Sequence, residues 1–205
     1  MNKPNHILLP FLLLISSTIF GQGLKTDSTM SSIFNIQEIN NLEKILDFFT
    51  EQICELEGIE NHNVIDCFNS YCKNLKEMSA ASGSIDINLS LDEQKRFYDN
   101  IQQSTFNQIW HYEKTWIPNT TDTIFEINID PKGKYAKFLK SMGQEYDKVD
   151  EYFNNLESSG GICPSMISEL LMNYQEFKFN DERIRLLFAI HYLTINDRFS
   201  EKKDN

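Results

Sequence analysis

The placing of four cysteines constrains this chain more than any other feature: Cys54, Cys67, Cys72 and Cys163. Cys54 and Cys67 stand at equal distances on either side of a point between Glu60 and Asn61. If that point is the turn of a helical hairpin, two antiparallel helices bring the two sulfurs level. Cys67 and Cys72 fall five residues apart in one predicted helix, which turns their side chains about 140° from each other. They are not expected to pair with one another. The expectation is therefore Cys54 with Cys67, and Cys72 with Cys163, the second bridge tying the hairpin to the C-terminal half. The alternatives are four reduced, buried thiols, or a metal site, for which the spacing lacks a close Cys-x-x-Cys pair.

Disulfides need an oxidising compartment, and the N-terminus points to one. Residues 1–21 carry one positive charge at Lys3, an apolar run from Ile7 to Ile15, and a weaker stretch ending Thr18-Ile19-Phe20-Gly21. That is the pattern of a cleavable export signal, with cleavage expected after Gly21. The apolar run is shorter than the roughly 20 residues of a spanning helix, and Pro10 interrupts it. No cysteine precedes Cys54, so the lipid-modified cysteine of a bacterial lipoprotein is missing. The expected product is secreted or periplasmic, with no stable membrane insertion after cleavage. Beyond the signal we expect a flexible segment over 22–35, a single helical domain over 36–199 and a polar tail over 200–205.

Cleavage leaves 184 of the 205 residues, enough for one domain with a substantial core. Because Lys3 leaves with the signal, the formal net charge goes from −11 to −12. A chain so acidic repels phosphate backbones and anionic lipid, which argues against nucleic-acid or membrane partners. A basic partner is permitted.

Periodicity predicts a mainly α fold: a multi-helix bundle with an N-terminal helical hairpin and room for one small two-stranded β element. Ile36, Ile39, Leu42, Ile45, Leu46, Phe49, Ile53 and Leu56 recur at steps of three and four, and Gly58 is placed to end that helix. The second helix runs through Val64, Phe68, Tyr71, Leu75 and Met78 into a Ser/Ala/Gly loop. A third is expected from a Ser90–Glu93 capping box through Phe97, Ile101 and Ile109 to the cluster Trp110-His111-Tyr112, stopping before Pro118. Ile85, Ile87 and Leu89, and then Phe125, Ile127 and Ile129, alternate with polar residues. These two runs are expected to pair as strands. One long helix is expected from Tyr135 to Leu156, closed by Gly160-Gly161. Pro164 can open another helix. Asn180 can cap the last, whose span Ile184–Ile195 is apolar on nearly every side and reads as a central buried helix before it reads as a strand.

Chemistry is sparse. Three histidines lie beyond the signal: His62, His111 and His191. His62 falls in the first hairpin turn and reads as solvated or capping; His191 reads as a buried, hydrogen-bonded core residue. His111 has Glu113 nearby, within a belt of Trp110, Tyr112 and Trp116, and is the one candidate for acid–base work. Helical spacing would aim positions 111 and 113 about 200° apart, which spoils a joint site unless the helix has already ended. There is no serine or cysteine nucleophile motif, no His-Glu-x-x-His and no glycine-rich phosphate loop. No cofactor and no metal is expected. Asp122-Thr123-Ile124, and more weakly Asp27-Ser28-Thr29, match the Asp-Ser/Thr-aliphatic acceptor of bacterial O-glycosylation, with Thr123 the acceptor. In a eukaryotic host Asn88 and Asn119 would open N-glycosylation sequons instead.

Two function classes follow. One is an exported, non-enzymatic helical protein that binds a protein partner, as an inhibitor or immunity protein against a cell-envelope enzyme. The other is a hydrolase of peptidoglycan or glycan using His111 and Glu113.

Overall fold

The structure is a computed structural model that describes residues 23–59, 63–116 and 123–200. The signal at 1–21, the first hairpin turn with His62, the Asn119 sequon and the tail beyond 200 fall outside these residues. Among the described residues the fold is mainly helical: nine α-helices and one two-stranded antiparallel sheet. None of those helices is long and apolar enough to cross a membrane.

The order is α1 (Ser28–Ile33), α2 (Ile36–Leu56), α3 (Val64–Ser82), α4 (Leu91–Tyr98), α5 (Gln103–Ile109), β1 (Trp110–Trp116), β2 (Thr123–Ile129), α6 (Lys134–Met142), α7 (Asp147–Ser159), α8 (Pro164–Met172) and α9 (Glu182–Ser200). The centre is α9. Every residue from Leu186 to Ile195 has no exposed surface. A helix apolar all round can only be buried all round, and α9 is walled by α2, α4 and β2. His191 and Thr194 are the polar exceptions in that stretch, and each has a partner. The Tyr152 hydroxyl lies 3.0 Å from His191 Nδ1, and the Thr194 hydroxyl donates to the Ile190 carbonyl at 2.6 Å.

The helical hairpin α2–α3 buries Ile39, Leu42, Ile45, Phe49 and Ile53 on one arm and Phe68, Tyr71 and Leu75 on the other. Asn35 and Glu38 form a full capping box at the start of α2, and Glu38 also holds Lys134 of α6 at 2.7 Å. Cys54 and Cys67 are joined across the hairpin, Cα to Cα 5.0 Å. The second expected bridge is not formed: Cys72 and Cys163 are free thiols. Helix α3 reaches α8 at the wrong end for it. Lys76 Nζ donates to the carbonyl of Met172, one helix length, about 13 Å, from Cys163. Cys72 is instead sealed in the core against Tyr192, where burial pushes its thiol well up.

Other expectations change. Residues 23–35, expected to be flexible, are built in: Leu24, Met30 and Phe34 are core residues, and Phe34 meets Phe138 edge-on at 6.2 Å. Charged contacts pin the segment to the start of α9. Leu24 N–H donates to Glu182 at 3.0 Å, and Arg183 faces Asp27, Glu145 and Asp181 at 3.4, 2.9 and 2.8 Å. The single helix expected from Tyr135 to Leu156 is two, α6 and α7, which fold back on each other. Gly143 makes that possible, since a Cβ there would come within 2.9 Å of the Asp150 Cα. Periodicity continues across the joint and so hides it. Ser90 caps α4 through Glu93 N–H, though the reverse bond of a capping box is absent among the described residues. At α9 the Arg183 N–H finds Asp181, where Asn180 was expected to cap.

The β element forms with a different partner. Ile85–Leu89 stays outside any ladder, and the third predicted helix breaks at Asp99–Gln102 and ends at Ile109. The next seven residues become β1, paired with β2 in the register Trp110↔Ile129, Tyr112↔Ile127, Lys114↔Phe125. Trp, Tyr and Thr are good strand residues, and a hairpin partner a few residues away closes a far shorter loop than one near Ile87.

Candidate functional site

The hairpin β1–β2 carries the one candidate catalytic pair and two of the most exposed aromatics. One face of it is core at its base. Trp110, 1 % exposed, packs on Phe106 and Tyr98 at 5.0 and 5.1 Å, and its indole N–H donates to the Thr194 hydroxyl at 2.8 Å. Ile129 and Ile127 lie beside it on β2, and the Ile127 N–H reaches Asp197 of α9 at 3.5 Å. Further along the same face the sheet leaves the body of the protein. Tyr112 is 65 % exposed and Phe125 61 %, diagonal neighbours across the ladder.

The opposite face carries His111 and Glu113 on β1, with Asn128 and Glu126 across from them. Strand geometry settles what helical spacing left open: positions 111 and 113 point the same way, roughly 7 Å apart along the strand. Both are half-buried. Asn128 is the organising residue. Its Nδ2 donates to the Glu113 carboxylate at 2.8 Å, and its Oδ1 accepts from Ile129 N–H and Ile162 N–H at 2.9 and 2.8 Å. A Cβ on Gly161 would overlap the Asn128 side chain, so glycine lets the α7–α8 connection lie flat on the sheet. Arg198 completes the seam: it donates to the Ile162 carbonyl at 2.7 Å and faces the fully buried Glu126 at 3.4 Å.

The arrangement works as a scaffold. Glu113 is held by an amide that is itself held by backbone, so it helps fix residues 160–163 to the sheet. His111 Nδ1 is buried and has no hydrogen-bond partner among the described residues. Neither residue lines the sizeable grooves bounded by described residues, which lie beside Leu56 and Met78, beside Glu43 and Arg185, and beside Glu145 and Glu176. Nor do three His, Cys, Asp or Glu side chains gather as a metal set among the described residues.

Cys163 stands at the N-terminus of α8, its sulfur 3.1 Å from the Ser165 hydroxyl. Burial raises its thiol, but hydrogen bonds from Ser165, the Met166 amide and Ser159 outweigh that and leave it below its ordinary value. Thr123 opens β2, half-buried. Asp27 of the weaker acceptor motif is accounted for by capping: it accepts from Met30 N–H at 2.8 Å. Sequence reasoning missed Asn128 and read Gly161 only as a helix end, since a lone Asn in a strand, and the packing of a glycine after a helix, carry no pattern of their own.

Comparison with protein-family models, curated proteins and solved structures finds no match to this chain.

Proposed function

We propose that this chain is an exported, non-enzymatic helical protein that binds another macromolecule, acting as an inhibitor or immunity protein against a cell-envelope enzyme. The observation that carries the reading is the sheet face on which Trp110 and Ile127 are core while Tyr112 and Phe125 stand in solvent. Aromatic side chains on a backbone anchored at its base offer contact area at little conformational cost, the usual make-up of an interface anchor. The acidic charge and the absent nucleophile motifs support the same reading.

The test is capture from the native envelope with the mature protein, beside a Tyr112→Ser/Phe125→Ser variant. Expected is an envelope hydrolase retained by the first and not the second, whose turnover falls when the purified protein is added. The rival reading, a peptidoglycan or glycan hydrolase, draws support from His111 and Glu113 sharing a strand face. Turnover of a wall fragment that disappears in His111→Ala, with no partner captured, would replace the binding reading by the enzymatic one.

A further inference from the structure

The acceptor motif Asp122-Thr123-Ile124 has no part in the binding reading, and the fold sets it apart from its weaker twin. Asp27-Ser28-Thr29 is closed. Asp27 is buried, accepts from Met30 N–H at 2.8 Å and faces Arg183 at 3.4 Å, while Ser28 and Thr29 are wound into α1. Thr123 is placed otherwise: it is the first residue of β2, half-buried, in extended backbone. An extended chain offers its hydroxyl to a transferase without the loss of helical hydrogen bonds that Ser28 would require.

Strand alternation decides what a sugar on Thr123 meets. Thr123 and Phe125 point to the same face, roughly 7 Å apart along the strand. Tyr112, opposite Ile127, comes next on that face, diagonally beyond Phe125. Both rings are exposed, whereas Glu113 and Glu126 belong to the other face. The surface within reach of Thr123 is therefore aromatic rather than acidic. Sugar C–H groups pack on the electron-rich face of an aromatic ring. A free sugar does this too weakly to stay, but a tether raises its local concentration to about millimolar, and the same contact is then populated.

We infer that Thr123 carries an O-linked glycan whose sugars lie over Phe125 and Tyr112. The donor is a sugar activated at its anomeric carbon by a phosphate ester, delivered by a glycosyltransferase of the envelope. The bond from Thr123 Oγ1 to that carbon forms, the bond from the carbon to the phosphate oxygen breaks, the hydroxyl proton passes to a base of the transferase, and the phosphate leaves with the negative charge. The inference rests on the export and the binding face proposed above and adds regulation to them: the glycan competes with a partner for the two rings.

The first test is the intact mass of the mature protein purified from its native envelope. Expected is a mass above that of the polypeptide by whole sugar residues, mapped to Thr123 by peptide fragmentation, kept in Thr123→Ser and lost in Thr123→Val and Asp122→Asn. Valine is a β-branched strand residue like threonine, so the loss is of the acceptor and not of the strand. The second test is nitration of Tyr112. The parent should react roughly twofold or more slower than Thr123→Val, the protection of a ring covered at least half of the time. A mass equal to the polypeptide, a glycan mapped to Ser28, Asn88 or Asn119 instead, or equal nitration of the two proteins would overturn the inference. Neither readout needs a partner. A glycan on Thr123 that protects Tyr112, with no hydrolase captured even by Thr123→Val, would sink the binding reading and leave this one standing; capture by a chain whose Thr123 is bare in the native envelope would do the reverse.

Discussion

The two hairpins of this molecule are reinforced by opposite means. The helical hairpin α2–α3 has a disulfide across it, apolar residues down both inner faces and a full capping box at its start. Among its described residues the β-hairpin has no covalent tie; it is held at its base, where Trp110, Ile127 and Ile129 are buried beside α9, and on its other face, where Asn128 ties Glu113 to Ile162 and Glu126 faces Arg198. Reinforcement along the whole length makes the first a wall of the core. The second, held at its base and through Glu113 and Glu126 on one face, leaves Tyr112 and Phe125 exposed further along the other face, as a platform. Placement of rigidity thus separates the part that holds the fold from the part free to meet something else.

The sharpest way to break this contrast is at the base of the platform. Trp110→Ala removes a fully packed ring and leaves the Thr194 hydroxyl without its indole donor, so stability should fall by about 3 to 5 kcal/mol in urea unfolding. A loss under about 1 kcal/mol would mean that the hairpin folds independently of α9. Next is the tie of the other hairpin. Cys54→Ser/Cys67→Ser opens a link of sequence separation 13 and should cost about 3 kcal/mol, read from the same transition. Non-reducing intact mass of the parent, with alkylation, should find two thiols and one bridge; four alkylatable thiols would remove the covalent half of the comparison.

How much of this was legible in sequence follows from what each signal can sense. Steps of three and four reported α2 and α3 because a helix repeats its burial through many turns, and α9 was legible from being apolar on nearly every side. The equal spacing of Cys54 and Cys67 worked because it depends only on a turn position. Cys72 and Cys163 offered no such local rule, and their meeting hung on which end of α8 lies against α3. The strand at 110–116 was hidden by its own aromatics. Adjacent bulky residues such as Trp110, His111 and Tyr112 satisfy a helical pattern as well as an alternating one, and the partner run at 125–129 decides between them only once the pairing is known. For the same reason His111 and Glu113 read as diverging on a helix and share a face on the strand. Asn128, which ties Glu113 to Ile162, depends on a contact 34 residues away that no local pattern encodes.

Acid probes the core side of the contrast. His191 is fully buried in α9, and burial holds its pKa down to about 3, from 6.5 when exposed. Below pH 6.5 the unfolded chain binds a proton that the folded chain refuses. Stability contributed by neutral His191 is therefore whole above pH 6.5 and declines as pH falls toward 3, by about 1.4 kcal/mol per unit. Between pH 6.5 and 5, before most carboxylates titrate, the loss should come to about 2 kcal/mol. His191→Gln, which can still meet the Tyr152 hydroxyl, should flatten that slope while lowering stability at neutral pH. An unchanged slope would place the acid sensitivity elsewhere than in the core helix.

The smallest expected effect bears most directly on what the platform is for. Tyr112 and Phe125 are 65 % and 61 % exposed, so Tyr112→Ser/Phe125→Ser gives up little burial. Among the described residues Tyr112 has one ring neighbour, Phe106 at 6.0 Å, and that contact is given up in the variant. Unfolding free energy should change by less than about 0.5 kcal/mol for each position, as for ordinary surface substitutions. If the residues are interface anchors, the same pair should carry a binding loss of about 2 kcal/mol or more, because an anchor's value appears only when a partner desolvates it. A large effect on binding with almost none on folding is what separates a platform from a wall. Were the variant instead to unfold easily, the two rings would be stabilising the hairpin itself, and the division between the two hairpins would vanish.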